Sequence, residues 1–182
     1  MSRAFVSESD SSFQEPDIPP IKIPLPPGAR NYMTPEGAER LRSQLSELSG
    51  AERPRISGQL HRMLAGGAGL DRERLGELRR RLREIDRRIE YLTAMLSRTE
   101  VIDARRQPGD RVRFGTLVTV EEPDGSQRAY RIVGIDESAP EEGRISWISP
   151  LAKALLGRKI ADQVFLRLPE GEARLRILKI DP

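Results

Sequence analysis

The sequence contains no cysteine and only one histidine, His61, among its 182 residues. The absence of cysteine excludes disulfide bonds and thiol chemistry, and fits a cytosolic protein. A single imidazole without thiols leaves no His/Cys ligand set for a zinc site. Aromatic residues make up 4% of the chain and hydrophobic residues 37%, so we expect limited cores. Because no other titratable cluster accompanies His61, we expect this side chain to lie at the surface.

Long hydrophobic runs are also missing. No run approaches the roughly 20 apolar residues that a membrane-spanning helix needs. The first ten residues lack the apolar stretch of a signal peptide. We therefore predict a cytoplasmic, monomeric protein without membrane contact. The formal net charge is +3, from 31 basic and 28 acidic residues, so bulk attraction to nucleic acid is expected to be modest.

One apolar stripe dominates the middle of the chain. Its residues are spaced alternately by three and four positions, which is the heptad pattern of a helix that packs on a partner helix. The spacing predicts a helix from about Asp71 to Ser97. A shorter stripe upstream predicts a first helix, and the two would pair as an antiparallel hairpin of roughly 40 Å. A parallel homodimer through the same stripe is the competing interpretation. The stripe consists of Leu75, Leu78, Leu82, Ile85, Ile89, Leu92 and Leu96.

The first helix has clear start and interruption signals. Thr34 can cap free backbone N–H groups, and Pro35 suits the first helical position. Pro54 cannot donate a hydrogen bond and clashes with the preceding turn, which predicts a kink or short break near residues 49–54. A Gly-rich segment over about residues 65–71 then forms the tip of the hairpin.

Arginine is concentrated in the second helix, where acidic residues are interspersed with it. One interpretation is a solvated face with ion pairs such as Glu84 with Arg88. The other is a basic rod guided toward an acidic channel or toward phosphates. The arginines are Arg72, Arg74, Arg79, Arg80, Arg81, Arg83, Arg87 and Arg88.

From about residue 110 the hydrophobic period changes to two, which indicates strands. We predict an α+β fold: the coiled-coil hairpin over 31–103, followed over 110–182 by a small, mostly antiparallel sheet with one short helix. Residues 1–30 read as a Pro-rich tail without fixed structure, although Ile21, Ile23 and Leu25 alternate and could dock on a surface. The predicted sheet elements are a strand through Val112, Phe114, Leu117, Val118 and Val120, a strand over 130–135, a strand through Ile145, Trp147 and Ile148, a helix over 150–157, and a hairpin of 164–168 with 175–180.

Several ordered segments resemble the GreA/GreB transcript cleavage factors of bacterial RNA polymerase. The segment Asn31-Tyr-Met-Thr-Pro-Glu-Gly-Ala-Glu-Arg-Leu41 resembles the opening of that family, and Arg81-Leu-Arg-Glu-Ile-Asp-Arg-Arg-Ile-Glu-Tyr-Leu-Thr93 is similar to the second coiled-coil arm of GreB. The C-terminal segments 130–137, 145–157 and 169–172 match the family's globular domain in order. The resemblance covers residues 31–182.

The resemblance implies an FKBP-like C-terminal domain that docks at the rim of the polymerase secondary channel, on the largest catalytic subunit. The hairpin would enter the channel, near the nascent RNA. Two acidic tip residues in cleaving members help to hold a second Mg²⁺ of the polymerase active site, where two-metal catalysis hydrolyses backtracked RNA. The factor is then no enzyme by itself and at most stimulates the endonuclease activity of the polymerase. Candidate docking residues are Asp136, Glu137, Trp147, Ser149 and Pro150, although a lone Trp also suits a core, Ser149-Pro150 also suits a helix start, and Asp136-Glu137 could simply end a strand.

This chain departs from the family pattern at the tip, which reads Gly67-Ala68-Gly69-Leu70-Asp71-Arg72. Ala68 stands where the family has its first acid, and the second acid is the shorter Asp71. Asp71 is the one candidate Mg²⁺ ligand here, but its position after a Gly-rich turn at the start of a helix favours a role as the cap of the second helix. Arg72 adds positive charge beside it.

Three functional hypotheses follow. The first is a Gre-like factor that occupies the secondary channel with weak or no transcript cleavage. The second is an active GreB-type factor that uses Asp71, helped by Glu73. The third is an Arg-rich coiled-coil module that binds nucleic acid, and steep salt dependence would identify it.

Overall fold

The computed structural model describes residues 21–26, 28–66, 71–168 and 171–182. A helical hairpin is followed by a five-stranded sheet with one short helix, which confirms the predicted α+β class. Within these ranges, no helix has the length and apolar character needed to cross a membrane. Residues 1–20 of the predicted tail lie outside the described residues.

Three helices build the hairpin: α1 (Pro35–Glu47), α2 (Arg53–Ala65) and α3 (Arg72–Leu96). The predicted start of α1 is confirmed, because the Thr34 hydroxyl accepts a hydrogen bond from the N–H of Gly37 at 3.0 Å. The predicted limits of the second helix are also confirmed, with Asp71 and Ser97 as its caps. His61 is exposed, as expected.

A π-helical turn over Leu48–Glu52 joins α1 to α2. In this turn the N–H of Arg53 donates to the carbonyl of Leu48, five residues back. Pro54 has no N–H and its ring crowds the preceding turn, so a wider turn just before it accommodates the proline without ending the helical path. The expected irregularity near residues 49–54 is therefore a π-turn and not a break.

The α3 stripe packs against the first arm of the same chain. Burial is deepest near the sheet domain, where Leu92 is fully buried and Ile85 is 2% exposed. Toward the tip, Leu75, Leu78 and Leu82 are only half-buried. The stripe thus holds an antiparallel hairpin together within one chain, and its far end is the less firmly packed part.

A short parallel pair closes the base of the hairpin. Strand β1 (Asn31–Met33) precedes α1, and strand β2 (Thr99–Val101) follows α3. This pair was not predicted, because three-residue strands are too short to show alternation. Its hydrogen bonds fix the two ends of the hairpin side by side.

The C-terminal sheet has the strand order β5-β4-β3-β7-β6. Every neighbouring pair is antiparallel except β4 with β5, which is parallel. Helix α4 (Pro150–Leu155) contributes Ala152 and Leu155 to the core on one face of the sheet. The strands are β3 (Leu117–Glu121), β4 (Gln127–Val133), β5 (Arg144–Ser146), β6 (Gln163–Leu168) and β7 (Gly171–Asp181).

The predicted first strand was too long. Val112 and Phe114 are buried in the sheet core, but they precede β3 and form no part of it. Gly115, with φ of 87°, and Thr116, whose hydroxyl bonds the backbone of Arg113, turn the chain just before β3 begins. The spacing of apolar residues therefore identified the buried positions Val112 and Phe114 correctly, but it did not identify where the strand begins.

Two further strand predictions were wrong at their ends. Ile135 begins a 3₁₀ turn over Ile135–Glu137 and lies outside β4. Trp147 and Ile148 follow β5, which ends at Ser146. The pairing of β4 with β5 is three residues long, and the chain leaves the sheet at its end.

Part of the Pro-rich segment packs on the hairpin. Leu25 is 9% exposed and lies in a cluster with Met33, Leu41 and Leu92, and Ile23 packs against the same cluster. The alternation of apolar residues between prolines therefore provides a docking strip at the base of the hairpin.

Candidate functional site

Of the metal site predicted at the tip of the hairpin, the structure describes one carboxylate, that of Asp71. Asp71 is exposed and caps α3, and its Oδ1 accepts a hydrogen bond from the N–H of Arg74 at 3.1 Å. Gly67, Ala68, Gly69 and Leu70 lie outside the described residues. Within the described ranges, no group of three or more His, Asp or Glu side chains is placed to hold a metal ion. Asp71 alone, partly used as a cap and next to Arg72, is a poor fit for Mg²⁺.

Charged side chains, among them Arg81 and Arg88 of α3, connect the two arms of the hairpin. Arg81 contacts Glu52 across the arms at 2.6 Å, and Arg53 of α2 contacts Asp86 of α3 at the same distance. The hydrogen bond and charge of Glu52 raise the pKa of Arg81. Arg88 donates to Gln44 at 2.8 Å. These side chains are half-exposed, so each contact stabilises the hairpin modestly and mainly fixes the register of the arms.

A buried carboxylate joins the hairpin to the sheet domain. Oε2 of Glu137 accepts hydrogen bonds from the N–H groups of Thr34 and Gly134, each at 3.0 Å. The Thr34 hydroxyl donates to Oε1 of the same carboxylate. Glu137 is 5% exposed, and its charge lies at the positive N-terminal end of α1. We call this cluster of Thr34, Gly37, Gly134 and Glu137 the joint.

Two glycines make room for this carboxylate. A Cβ on Gly37 would lie 2.1 Å from Oε1 of Glu137, and a Cβ on Gly134 would lie 2.6 Å from its Oε2. Gly37 stands in the first turn of a helix, where glycine is unfavourable. A glycine at this position is a sequence signal of a close approach, although Gly37 was not among the predicted site residues.

Asp136 forms a second contact between the domains. Its Oδ1 accepts a hydrogen bond from the Tyr91 hydroxyl of α3 at 2.8 Å. The pKa of Tyr91 is raised, mainly by burial and further by this hydrogen bond and by the charge of Asp136. The Arg88 guanidinium lies over the Tyr91 ring, 5.2 Å from its centroid. Tyr91 was not among the predicted site residues, since a tyrosine next to a helical stripe looks like ordinary packing.

Trp147 packs between the two cores. Its ring meets Tyr32 of β1 edge-on at 5.3 Å between centroids, and Tyr32 in turn lies 6.2 Å from Phe114. Trp147 is half-buried and contacts both the sheet core and the cluster at the hairpin base. Its indole is therefore part of the connection between the domains.

Ser149 and Pro150 start α4. The Ser149 hydroxyl accepts a hydrogen bond from the N–H of Ala152 at 3.2 Å, and Pro150 occupies the first helical turn. Pro150 is exposed. Of the five predicted docking residues, Asp136, Glu137, Trp147 and Ser149 make contacts inside the chain, while Pro150 is exposed to solvent.

Together these contacts hold the hairpin in one direction relative to the sheet domain. The joint, the Tyr91–Asp136 hydrogen bond and the Tyr32–Trp147 contact restrain α1, α3 and β1. Helix α3 has 25 residues and so extends about 37 Å from this base. The arrangement can hold the far end of α3 at a fixed distance and direction from the sheet domain.

Comparison with known proteins identifies relatives along most of the chain. Residues 31–101 match the family model "Transcription elongation factor, N-terminal", and residues 107–182 match "Transcription elongation factor, GreA/GreB, C-term". Transcription elongation factor GreB of Neisseria meningitidis serogroup B is 40% identical over 156 residues, covering 84% of this chain and 94% of the relative. GreB of Pseudomonas aeruginosa is 40% identical over 152 residues, covering 82% and 89%.

More distant similarity extends to another named group and to solved structures. GreA of Rhodospirillum rubrum is 37% identical over 140 residues, covering 76% of this chain and 89% of the relative. The crystal structure of GreA factor homolog 1 of Thermus thermophilus shares 25% identity with a TM-score of 0.41, covering 85% of this chain and all of that one.

Proposed function

The chain belongs to the GreA/GreB family of transcription elongation factors, and on that premise we propose that it binds bacterial RNA polymerase and places its hairpin in the secondary channel without efficient transcript cleavage. The sheet domain would dock at the channel rim, on the largest catalytic subunit. The tip would then lie near the active site and the nascent RNA. Such a factor works in the cytoplasm.

The position of Asp71 carries the proposal of weak cleavage. Its carboxylate already accepts a hydrogen bond as the cap of α3, and the neighbouring Arg72 opposes a cation. The side chain of Ala68 is a methyl group and contains no oxygen that could serve as a ligand. Loss of one metal ligand is worth a few kcal/mol, and every 1.36 kcal/mol corresponds to about a tenfold change in rate. Any Mg²⁺ in the reaction would belong to the polymerase, and this chain would bring no cofactor.

The fixed direction of the hairpin supports a role in the channel. A rod that enters a narrow channel must keep its angle to the docked domain, and the joint, Tyr91 and Trp147 supply that constraint. We assign Asp136, Glu137 and Trp147 to positioning. Pro150, with the turn at Ser149, remains the proposed direct contact with the polymerase.

An active GreB-type factor is the second candidate, favoured by relatives named GreB at 40% identity. In that case Asp71, with the exposed Glu73 two residues on, would supply the acidic function. The nucleic-acid module is less well supported, because Arg53, Arg81 and Arg88 are engaged across the hairpin.

The test is transcript cleavage in backtracked bacterial elongation complexes with the wild-type chain and with Ala68→Asp. We expect little shortened RNA from the wild type and a marked increase from the variant, because the tip then carries two acids. Efficient cleavage by the wild type would support the second candidate. No increase with Ala68→Asp would show that the missing acid is not the only defect of the tip.

A further inference from the structure

One edge of the C-terminal sheet is open. Strand β6 is the outermost strand and pairs only with β7, and no other strand of the described residues lies beyond it. Half of the backbone N–H and C=O groups of such a strand point outward. They need water or an added strand as partners.

Two large apolar side chains are exposed at this edge. Phe165 of β6 is 57% exposed, and Ile160, in the turn that leads into β6, is 54% exposed. These exposures are the largest of any large hydrophobic side chain among the described residues. Natural edge strands are normally protected by charges, prolines or bulges. Phe165 and Ile160 therefore make this edge a candidate for contact with another molecule.

The turn before β6 holds Ile160 in place. The N–H of Lys159 donates to Oδ2 of Asp162 at 2.8 Å, and the N–H of Ala161 donates to the carbonyl of Ile177 of β7 at 2.8 Å. Ala161 adopts φ of 72°, a left-handed conformation that costs a non-glycine residue energy. Ile160 is thus presented on a defined turn.

Cations flank the exposed phenylalanine. In the antiparallel register Phe165 lies opposite Arg174, and Gln163 lies opposite Arg176, so all four side chains share one face. Arg174 donates to Gln163. Among the described side chains, no carboxylate forms an ion pair with either arginine. The edge therefore combines free backbone groups, two apolar side chains and two arginines; we call it the β6 patch.

We propose that the β6 patch receives an extended segment of RNA polymerase, which adds to β6 as a further strand and presents apolar and acidic side chains to it. An open edge selects an extended backbone, because only a strand pairs with its outward groups. Phe165 and Ile160 favour apolar side chains in the bound segment. Arg174 and Arg176 favour carboxylates in it. This inference rests on the proposed function and adds a contact distinct from the turn at Ser149.

The test measures binding of the full chain to bacterial RNA polymerase core enzyme. The absence of cysteine allows one fluorescent label through Ser2→Cys. The variants are Ile160→Ser with Phe165→Ser, and separately Arg174→Glu with Arg176→Glu. Val101→Ser is the matched control, since Val101 is an exposed apolar residue of β2, outside the patch. Thermal unfolding verifies that each variant is folded.

We expect the Kd to rise at least tenfold for both patch variants and to stay within about twofold for the control. Amide exchange over residues 163–166 should slow in the wild-type complex. An unchanged Kd for the patch variants, or slowed amide exchange only outside residues 163–166, would overturn the inference. Binding of the wild-type chain to the polymerase would still support the proposed function in that case. Patch variants that lose affinity for single-stranded RNA but not for the polymerase would overturn it in favour of a nucleic-acid surface. A wild-type chain that does not bind the polymerase would overturn the proposed function as well.

Discussion

The backbone N–H of Thr34 donates a hydrogen bond to the buried carboxylate of Glu137 at 3.0 Å, although the two residues are 103 positions apart. Thr34 caps the first helix of the hairpin, and Glu137 belongs to the sheet domain. The hydroxyl of Thr34 donates to the same carboxylate and accepts from the N–H of Gly37. The same side chain therefore caps α1 and contacts the sheet domain. The Glu137 carboxylate is thus one of the groups that fix the direction of the hairpin, together with the Tyr91–Asp136 hydrogen bond and the Tyr32–Trp147 contact.

Removing that side chain should destabilise the protein. Glu137→Ala leaves the N–H groups of Thr34 and Gly134 without their acceptor in a buried site, which costs about 3 kcal/mol. Glu137→Gln keeps one oxygen and should cost less. Denaturant unfolding of both variants measures the difference. A loss below about 0.5 kcal/mol for Glu137→Ala would contradict the assigned role of the joint.

Gly37 should be intolerant of even one methyl group. A Cβ there would lie 2.1 Å from Glu137, so Gly37→Ala must displace the carboxylate, at a cost of about 2 kcal/mol. Gly76→Ala in α3 is the control, because no heavy atom lies within 4 Å of its Cβ position. That substitution should stabilise the helix by up to about 1 kcal/mol. Equal effects of the two substitutions on thermal unfolding would disprove the close approach.

Tyr91 should make the free energy of unfolding depend on pH in the alkaline range. Tyr91→Phe removes the hydrogen bond to Asp136 and should cost about 1.5 kcal/mol at pH 7. Burial raises the pKa of Tyr91 in the folded chain, so above about pH 10 the unfolded chain releases this proton while the folded chain keeps it. The stability contributed by Tyr91 is therefore present below that pH and lost as the pH rises further.

The free energies of unfolding of wild type and Tyr91→Phe, compared from pH 7 to pH 11, provide the measurement. Their difference should narrow above about pH 10, because only the wild type has this titrating group. A constant difference over the whole range would contradict a raised pKa for Tyr91.

Asp71 should contribute mainly as the cap of α3 and only little through the negative charge of its carboxylate. Asp71→Asn keeps a capping oxygen and removes the charge, whereas Asp71→Ala removes both and should cost about 1 kcal/mol of stability. If capping is its main role, Asp71→Asn leaves both the unfolding temperature and the effect on transcription nearly unchanged. Loss of a transcriptional effect in the stable Asp71→Asn protein would assign the charge a direct function.

Much of the hairpin could be predicted because its signals are local. Thr34-Pro35 marks the start of α1, and the heptad stripe from Leu75 to Leu96 marks α3. The sheet was predicted less accurately, since apolar alternation at Val112 and Phe114 reports burial even where Gly115 and Thr116 turn the chain.

The joint could not be predicted because its partners are distant in sequence. Asp136 and Glu137 look like two surface acids after a strand, and nothing nearby shows that one meets Tyr91 and the other meets Thr34. Family resemblance favoured an external partner for both. The structure places the Glu137 carboxylate and one oxygen of Asp136 in contacts that orient the hairpin.

The central claim is that this chain occupies the secondary channel with a tip that cleaves poorly. The most direct measurement adds the protein to stalled, backtracked bacterial elongation complexes, alone and together with a cleaving Gre factor. We expect few or no shortened 3′ fragments from the protein alone and a dose-dependent loss of cleavage by the competitor. Efficient cleavage by the protein alone, or undiminished cleavage by the competitor at saturating protein, would contradict it.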